Sequence, residues 1–290
     1  MNIDEALDRF LVQLEADGRS PHTICQYRRH IRTLARWAAD GGHSGEVADL
    51  THEDLARFLS SPETRASARG GTKKASTTNC VRTSVQGFCG YLHRAGIIAA
   101  DPSRVLRRAK CGRPPPRGLS DDDATRLLDT LAAADGDEAR RDHLLFDLLL
   151  RTGIRLTSAL ALEVRDVDLD RGELWLRTTK GDQPERVFLG AEIREHLRTY
   201  LAEHESERLF AIKGRVVGRR HAHRRFSQWL KKAGVKTTYS PHACRHAFAQ
   251  TIYRETGDVL VVKEALRHRS IASTMVYARA DDARVRAAVG

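Results

Sequence analysis

The sequence predicts a mainly α-helical chain with a small β-hairpin, divided into an N-terminal helical domain and a C-terminal α+β domain. Three observations predict it. Apolar residues recur at helical spacing through most of the first hundred residues. A basic stretch, Arg107 to Arg117, contains Pro114-Pro115-Pro116, which excludes helix and favours extended chain. Two strand patterns, Glu173–Arg177 and Glu185–Leu189, flank the turn-forming run Thr178-Thr179-Lys180-Gly181-Asp182. The expected boundaries are 1–112 for the helical domain, 113–117 for a linker and 118–290 for the second domain.

Each element has its own signal. Ile3, Leu7, Phe10, Leu11 and Leu14 define a first helix. Ser20-Pro21 is a cap followed by a first-turn proline. The helix it opens places Ile24, Tyr27, Ile31 and Leu34 on one face and Arg28, Arg32 and Arg36 in a row on another. Thr51 caps a short helix through Leu59, and the polar run Ser61 to Ser76, with Gly70-Gly71, reads as a loop. A further helix turns Val81, Val85, Phe88 and Leu92 inward and Asn79, Arg82 and Gln86 outward. After the linker, Ser120 caps a helix opening with three aspartates, which suit the positive end of its dipole. Leu144, Leu145, Leu148 and Leu149 mark a buried helix ending at Thr152-Gly153-Ile154-Arg155. Beyond Gly190 the pattern is helical to the end.

Composition bounds the function. The 290 residues are 41% hydrophobic and 30% charged, a globular balance with ample material for two cores. No apolar run approaches the roughly 20 residues that span a bilayer, and the acidic start Met1-Asn2-Ile3-Asp4-Glu5 lacks signal-peptide form. A cytoplasmic location with no membrane partner is expected. Five cysteines, odd in number and without a CxxC pair, suggest neither a disulfide framework nor a zinc site. Net charge is +11, and basic residues outnumber acidic ones on both sides of the linker. No carboxylate occurs between Glu207 and Glu255, an interval holding Arg219, Arg220, Arg224, Arg225 and eight other cations. A surface of one sign suits a polyanion, because lysine and arginine displace the counterions condensed on nucleic acid. Two basic domains on one duplex would act as a clamp. Candidate DNA contacts are Arg28, Arg32, Arg36, Asn79, Arg82, Gln86, Arg219, Arg220, Arg224 and Arg225.

Three blocks carry the chemistry. His242 and Arg245 lie three residues apart on one helix, between the start signal Ser240-Pro241 and the stop Gly257. Cys244, Phe248 and Ile252 face the core by spacing, which leaves His242 outside and Arg245 at the border. Arg155 follows Gly153 at a helix junction, and a guanidinium there can grip two phosphate oxygens at once. The third block runs Ala265-Leu266-Arg267-His268-Arg269-Ser270-Ile271-Ala272-Ser273-Thr274-Met275-Val276-Tyr277. A tyrosine, two arginines and two histidines are equipment for attacking a phosphodiester with a phenol. No metal cluster or nucleotide loop is visible, so no cofactor is expected.

The order and composition of these blocks resemble the tyrosine recombinase (phage integrase) family over nearly the whole chain, in its compact form without an arm-binding domain. The resemblance implies a helical core-binding domain followed by a catalytic domain. It implies a site-specific DNA recombinase that cuts and rejoins strands through a 3′-phosphotyrosine and a Holliday junction, as a tetramer on two double-stranded DNA sites. By the same resemblance Arg155 and Arg245 stabilise the transition state and Lys180, in the hairpin turn, protonates the leaving oxygen. His242 accepts the tyrosine proton, His268 binds the phosphate, and Tyr277 is the nucleophile. Tyr239 and Tyr253 stand outside the matching block. The C-terminal segment Ala278 to Gly290 is expected to dock on a neighbouring protomer. Two positions depart from the family pattern: Ser158 stands where a carboxylate is usual, and Arg267 where a glycine usually precedes the second histidine. A type IB topoisomerase-like enzyme that rejoins the same strand, and a DNA-binding relative with weakened catalysis, are the alternatives.

Overall fold

The computed structural model describes residues 1–68, 70–112, 116–177, 184–212 and 214–278. The chain divides into two compact units, Met1–Arg113 and Pro114–Gly290.

The first unit is a helical bundle of α1 (Ile3–Ala16), α2 (Pro21–Asp40), α3 (His52–Ser60), α4 (Pro62–Arg65) and α5 (Ala75–Arg94). Three of the N-termini are closed by side chains. Asn2 and Thr51 form capping boxes with Glu5 and Asp54, and Ser20 accepts from the Thr23 N–H ahead of a first-turn proline. Each such cap is worth about 1 kcal/mol. The apolar faces meet around Phe10, whose ring lies 5.4 Å from Tyr27, 5.7 Å from Phe88 and 5.2 Å from Tyr91. Such offset aromatic contacts add to area burial.

Two expectations change here. The loop expected from Ser61 to Ser76 contains α4, a single turn opened by Pro62 and too short for periodicity to reveal. The outward face expected of α5 is turned in. Asn79 is buried, and its amide holds the Ala109 backbone from both sides, at 2.9 Å each. Gln86 donates to the Leu106 carbonyl at 2.8 Å, and Arg82 donates to the Asn79 side-chain oxygen at 2.5 Å. These three side chains fasten the exit segment after α5. Its backbone groups need partners that no helix supplies. Arg28, Arg32 and Arg36 do lie exposed along α2.

The second unit packs helices around a small sheet. It comprises α6 (Asp121–Ala132), α7 (Asp137–Thr152), α8 (Leu156–Leu160), β1 (Val167–Asp168), β2 (Glu173–Leu176), β3 (Glu185–Phe188), α9 (Ala191–Ala202), β4 (Ala211–Ile212), β5 (Arg215–Val216), α10 (Arg219–Lys232), α11 (His242–Thr256), α12 (Val259–Leu266) and α13 (Met275–Ala278). β2 and β3 pair antiparallel with Trp175 opposite Arg186, and β1 adds a third strand beyond the two expected. The helical run expected beyond Gly190 is interrupted by the β4–β5 hairpin, which turns at Gly214 (φ 74°). Two-residue strands leave no alternation to read. Leu144, Leu145, Leu148 and Leu149 of α7 lie in the core, with Leu174 and Val187 from the sheet and Phe226 from α10. Among the described residues no helix is long and apolar enough to cross a membrane.

Candidate active site

The Thr152-Gly153-Ile154-Arg155 block ends α7 and aims the chain into α8. Thr152 donates its hydroxyl to the Leu148 carbonyl at 2.5 Å. Gly153 then takes φ 60°, a left-handed cap that glycine adopts without steric cost. A Cβ here would lie 2.3 Å from the Phe248 ring of α11. Gly153→Ala is therefore expected to lower the stability of this unit by about 1–2 kcal/mol for the left-handed backbone alone. The overlap with Phe248 adds to that, and chemical denaturation followed by circular dichroism would read the sum. Unchanged stability would mean that α7 and α11 do not depend on this close approach. Past the turn, Arg155 caps α8 and is exposed, with no carboxylate partner among the described residues.

The turn also places an acceptor. The Gly153 carbonyl receives Nη1 of Arg245 at 2.5 Å, and the Leu266 carbonyl receives its Nη2 at 2.5 Å. Arg245 thus stitches together the ends of α7 and α12 from within α11. The sequence put it at the border of the core; the structure buries it to 3% exposure, because two distant carbonyls need its donors. Burial, and then the charge of Arg155, push its pKa down to about 10, which leaves it cationic at neutral pH.

Tyr277, on α13, is 5% exposed and packs with Ala249, Val262 and Leu266. Its hydroxyl meets Nδ1 of His246 at 2.6 Å. His246 is a candidate that the sequence reading did not single out. The sequence assigns the proton-accepting role to His242; in the structure His246 is the histidine in contact with the phenol. Its signal was its spacing, four residues after His242 on one helix face. The two rings stand edge-on at 4.6 Å, and His242 is exposed at the start of α11. His268 follows α12, and its Nδ1 lies 2.8 Å from the buried Thr274 hydroxyl.

Arg155 acts electrostatically on His242, Arg245, Arg267 and His268, so four candidate groups and Arg267 share one field with Tyr277 beside them. Lys180 lies outside the described residues. Desolvation, with Arg245 and Arg155 after it, holds His242 below the usual histidine range. Desolvation followed by neighbouring cationic groups puts His246 and His268 at about 4. Tyr277 rises to about 12 because burial disfavours the phenolate more than Arg245 favours it. The resting site is therefore a neutral phenol against a neutral imidazole.

The same shifts set a pH dependence of stability. His30, buried in the first unit with Nδ1 2.8 Å from Ser84, also sits at about 4, against 6.5 for a free histidine. Between those values the unfolded chain binds protons that the folded chain refuses. Stability is full above about pH 6.5 and falls as pH drops toward 4. The melting temperature is expected to decline from pH 7 to pH 5, with net proton uptake on unfolding in calorimetry. A flat profile over that window would contradict neutral histidines.

The basic interval is less free than its sequence suggests. Arg225 ion-pairs with Asp142 and Glu138 and lies over the Trp229 ring, so it is a structural cation rather than an open contact. Arg208 and Arg254 meet Glu163 and Asp121. Arg219, Arg220 and Arg224 remain exposed on α10. Tyr239 is held to Asp123 at 3.0 Å, and Tyr253 packs beside the Tyr277 cluster.

Residues 117–284 match the Phage integrase family, and residues 7–96 match the Phage integrase, N-terminal SAM-like domain. This chain belongs to the phage integrase family. The chain is 30% identical over 284 residues to the tyrosine recombinase XerC of Chromobacterium violaceum, covering 96% of this chain and 91% of that protein. To the tyrosine recombinase XerC of Xanthomonas campestris it is 31% identical over 281 residues, covering 95% and 84%. Its fold is similar to XerH site-specific recombinase bound to palindromic difH substrate, with TM-score 0.75, 21% identity and coverage of 96% and 84%. It is also similar to a lambda integrase(75-356) dimer bound to a COC′ core site, with TM-score 0.74, 18% identity and coverage of 93% and 96%. Members of this family are tyrosine-type site-specific recombinases, and so is this chain; these relatives lend nothing to the topoisomerase-like alternative.

Proposed function

We propose that this chain exchanges DNA strands by tyrosine attack on a phosphodiester, and that Tyr277 is the nucleophile. The observation that carries this reading is the Tyr277 hydroxyl held at 2.6 Å by the neutral His246, in the field of Arg245. The phenol oxygen bonds to phosphorus, its proton passes to Nδ1 of His246, and the bond from phosphorus to the 5′-oxygen breaks. Lys180 supplies the proton to that leaving oxygen. Arg155 and the free donors of Arg245 face the charge that develops on the phosphate. A Thr274 hydroxyl donating to Nδ1 of His268 keeps the ring proton on Nε2, where a phosphate oxygen can accept it. His242, exposed beside Arg155, is a phosphate contact in this scheme. A 5′-hydroxyl from a second duplex reverses the step and releases Tyr277.

Both basic units would hold the duplex, with Arg28, Arg32 and Arg36 of α2 and Arg219, Arg220 and Arg224 of α10 as the open cations. The XerH and lambda integrase neighbours are bound to DNA, and another lambda integrase neighbour is a tetramer bound to a Holliday junction. We carry DNA binding, tetramer assembly and a cytoplasmic location to this chain on that basis. Beyond Ala278, the C-terminal segment expected to dock on a neighbour falls outside the described residues.

The test is covalent trapping. A duplex nicked next to the scissile phosphate loses the short 5′-hydroxyl fragment after cleavage and leaves the protein attached to the 3′ end. Attachment is expected at undiminished yield in EDTA and without nucleotide, because the phosphodiester energy is conserved in the protein–DNA bond. Strand breakage without a protein–DNA adduct would overturn the reading. Transfer of the adduct to a second duplex, rather than religation alone, separates recombination from relaxation.

A further inference from the structure

Arg267 is the one non-glycine residue with positive φ among the described residues, at φ 53° and ψ 50°. It closes α12 in the left-handed conformation that glycine adopts freely and an arginine adopts at a cost. A strained backbone of this kind points to a task for the side chain. Nε of Arg267 donates to the Arg186 carbonyl of β3 at 3.1 Å, which fixes the guanidinium. Its Nη groups have no carboxylate partner among the described residues. Arg245 draws the other arginines to the same place. Its Nη1 is on the Gly153 carbonyl, two residues before Arg155, and its Nη2 on the Leu266 carbonyl, one residue before Arg267. His268 follows Arg267 directly. Arg245 and Arg267 bond carbonyls, and Arg155 is exposed. A carbonyl satisfies a donor without cancelling its charge. Arg155 and Arg267 both work against the charge on Arg245, and Arg155 against that on Arg267. Glu185 of β3 is the carboxylate that opposes them, acting on Arg245 and Arg267. Three guanidiniums against that one acid leave a surplus of positive charge beside Tyr277, and such a surplus attracts an anion.

We propose that Arg267 is a third phosphate-binding arginine: its free Nη donors meet the scissile phosphate alongside Arg155 and Arg245. A glycine at this position would relieve the backbone and supply no donor. The inference rests on the reading of this site as the place where Tyr277 attacks a phosphodiester, and it adds a group which that reading does not use. A phosphate contact has a distinctive signature. Its loss should lower both the rate of attack and the number of counterions that binding releases.

Two measurements on Arg267→Gly and Arg267→Lys test it. The first is single-turnover covalent attachment to the nicked duplex. The second is the salt dependence of duplex binding, taken in a Tyr277→Phe background where no attachment occurs. Arg267→Gly relaxes the left-handed backbone, so the fold should survive it, and melting curves check this. It should attach about a hundredfold more slowly, the scale of one lost transition-state donor. Its plot of log binding constant against log salt should flatten by about 1, because one phosphate contact releases about one counterion. Arg267→Lys should keep the wild-type salt slope, since the charge is retained, and still attach more slowly, since the planar fork is lost. A residue that only ties α12 to β3 would slow both variants and leave both slopes unchanged, and that result overturns the proposal. Attachment at the wild-type rate by either variant overturns it as well. No adduct with wild type, or no salt-dependent duplex binding, overturns the proposed function instead.

Discussion

Tyr277→Phe is expected to abolish covalent attachment to DNA while leaving the fold and DNA binding in place. The change removes one oxygen. Among the described residues that oxygen makes one hydrogen bond, to Nδ1 of His246, and its net worth is about 0.5–1.5 kcal/mol. The ring keeps its packing against Ala249, Val262 and Leu266. The cations that would meet the phosphate belong to other residues, so binding should persist. Chemistry should not, because no second hydroxyl among the described residues occupies the place beside His246. Tyr239 has its hydroxyl on Asp123, and Tyr239→Phe and Tyr253→Phe should both cleave normally. A denaturing gel of trapped complexes reads all three variants. Adduct at wild-type level with Tyr277→Phe would remove Tyr277 from its role.

What was legible in the sequence was what is local. The Thr-Gly-x-Arg block could be read because one residue must turn left-handed at the end of α7, and glycine does that without steric cost. The pairing of β2 with β3 showed through two strand patterns flanking a turn-forming run of sequence, a run that itself lies outside the described residues. The errors came from partners that sequence does not bring together. Arg225 looked like a phosphate ligand because its interval lacks acids, yet Asp142 reaches it from 83 residues away. Asn79 and Gln86 looked outward because spacing assigns them to the polar face of α5; the segment that covers them returns 20 to 30 residues later. His246 was passed over for the opposite reason. It adjoins Arg245 in sequence and lies four residues from His242, but only the approach of α13 tells which imidazole meets the phenol. Arg267 read as a defect in a family pattern, and its bond to β3 is a tertiary fact.

The arginines give the second large effect, and the two should fail in different ways. Arg155→Lys and Arg245→Lys both keep the charge and lose the planar fork that spans two oxygens. Each is expected to slow cleavage by about 10²–10³, the usual cost of one transition-state donor. Their structural consequences diverge. Arg155 is exposed and has no carboxylate partner among the described residues, so Arg155→Lys should melt with wild type. Arg245 already commits two donors to Gly153 and Leu266, and an ammonium cannot serve both carbonyls in that geometry. Arg245→Lys leaves at least one buried acceptor short and should lose about 1–3 kcal/mol of stability besides. Single-turnover cleavage at saturating protein, with melting curves of the same preparations, separates the two contributions. Arg155→Lys cleaving within about twofold of wild type, a difference worth only roughly 0.4 kcal/mol, would place that guanidinium away from the transition state. If Arg245→Lys lost stability but cleaved at full rate, Arg245 would be a tie between α7, α11 and α12 and not a phosphate ligand. A loss of rate in both variants with a loss of stability in one alone is the pattern that the geometry requires.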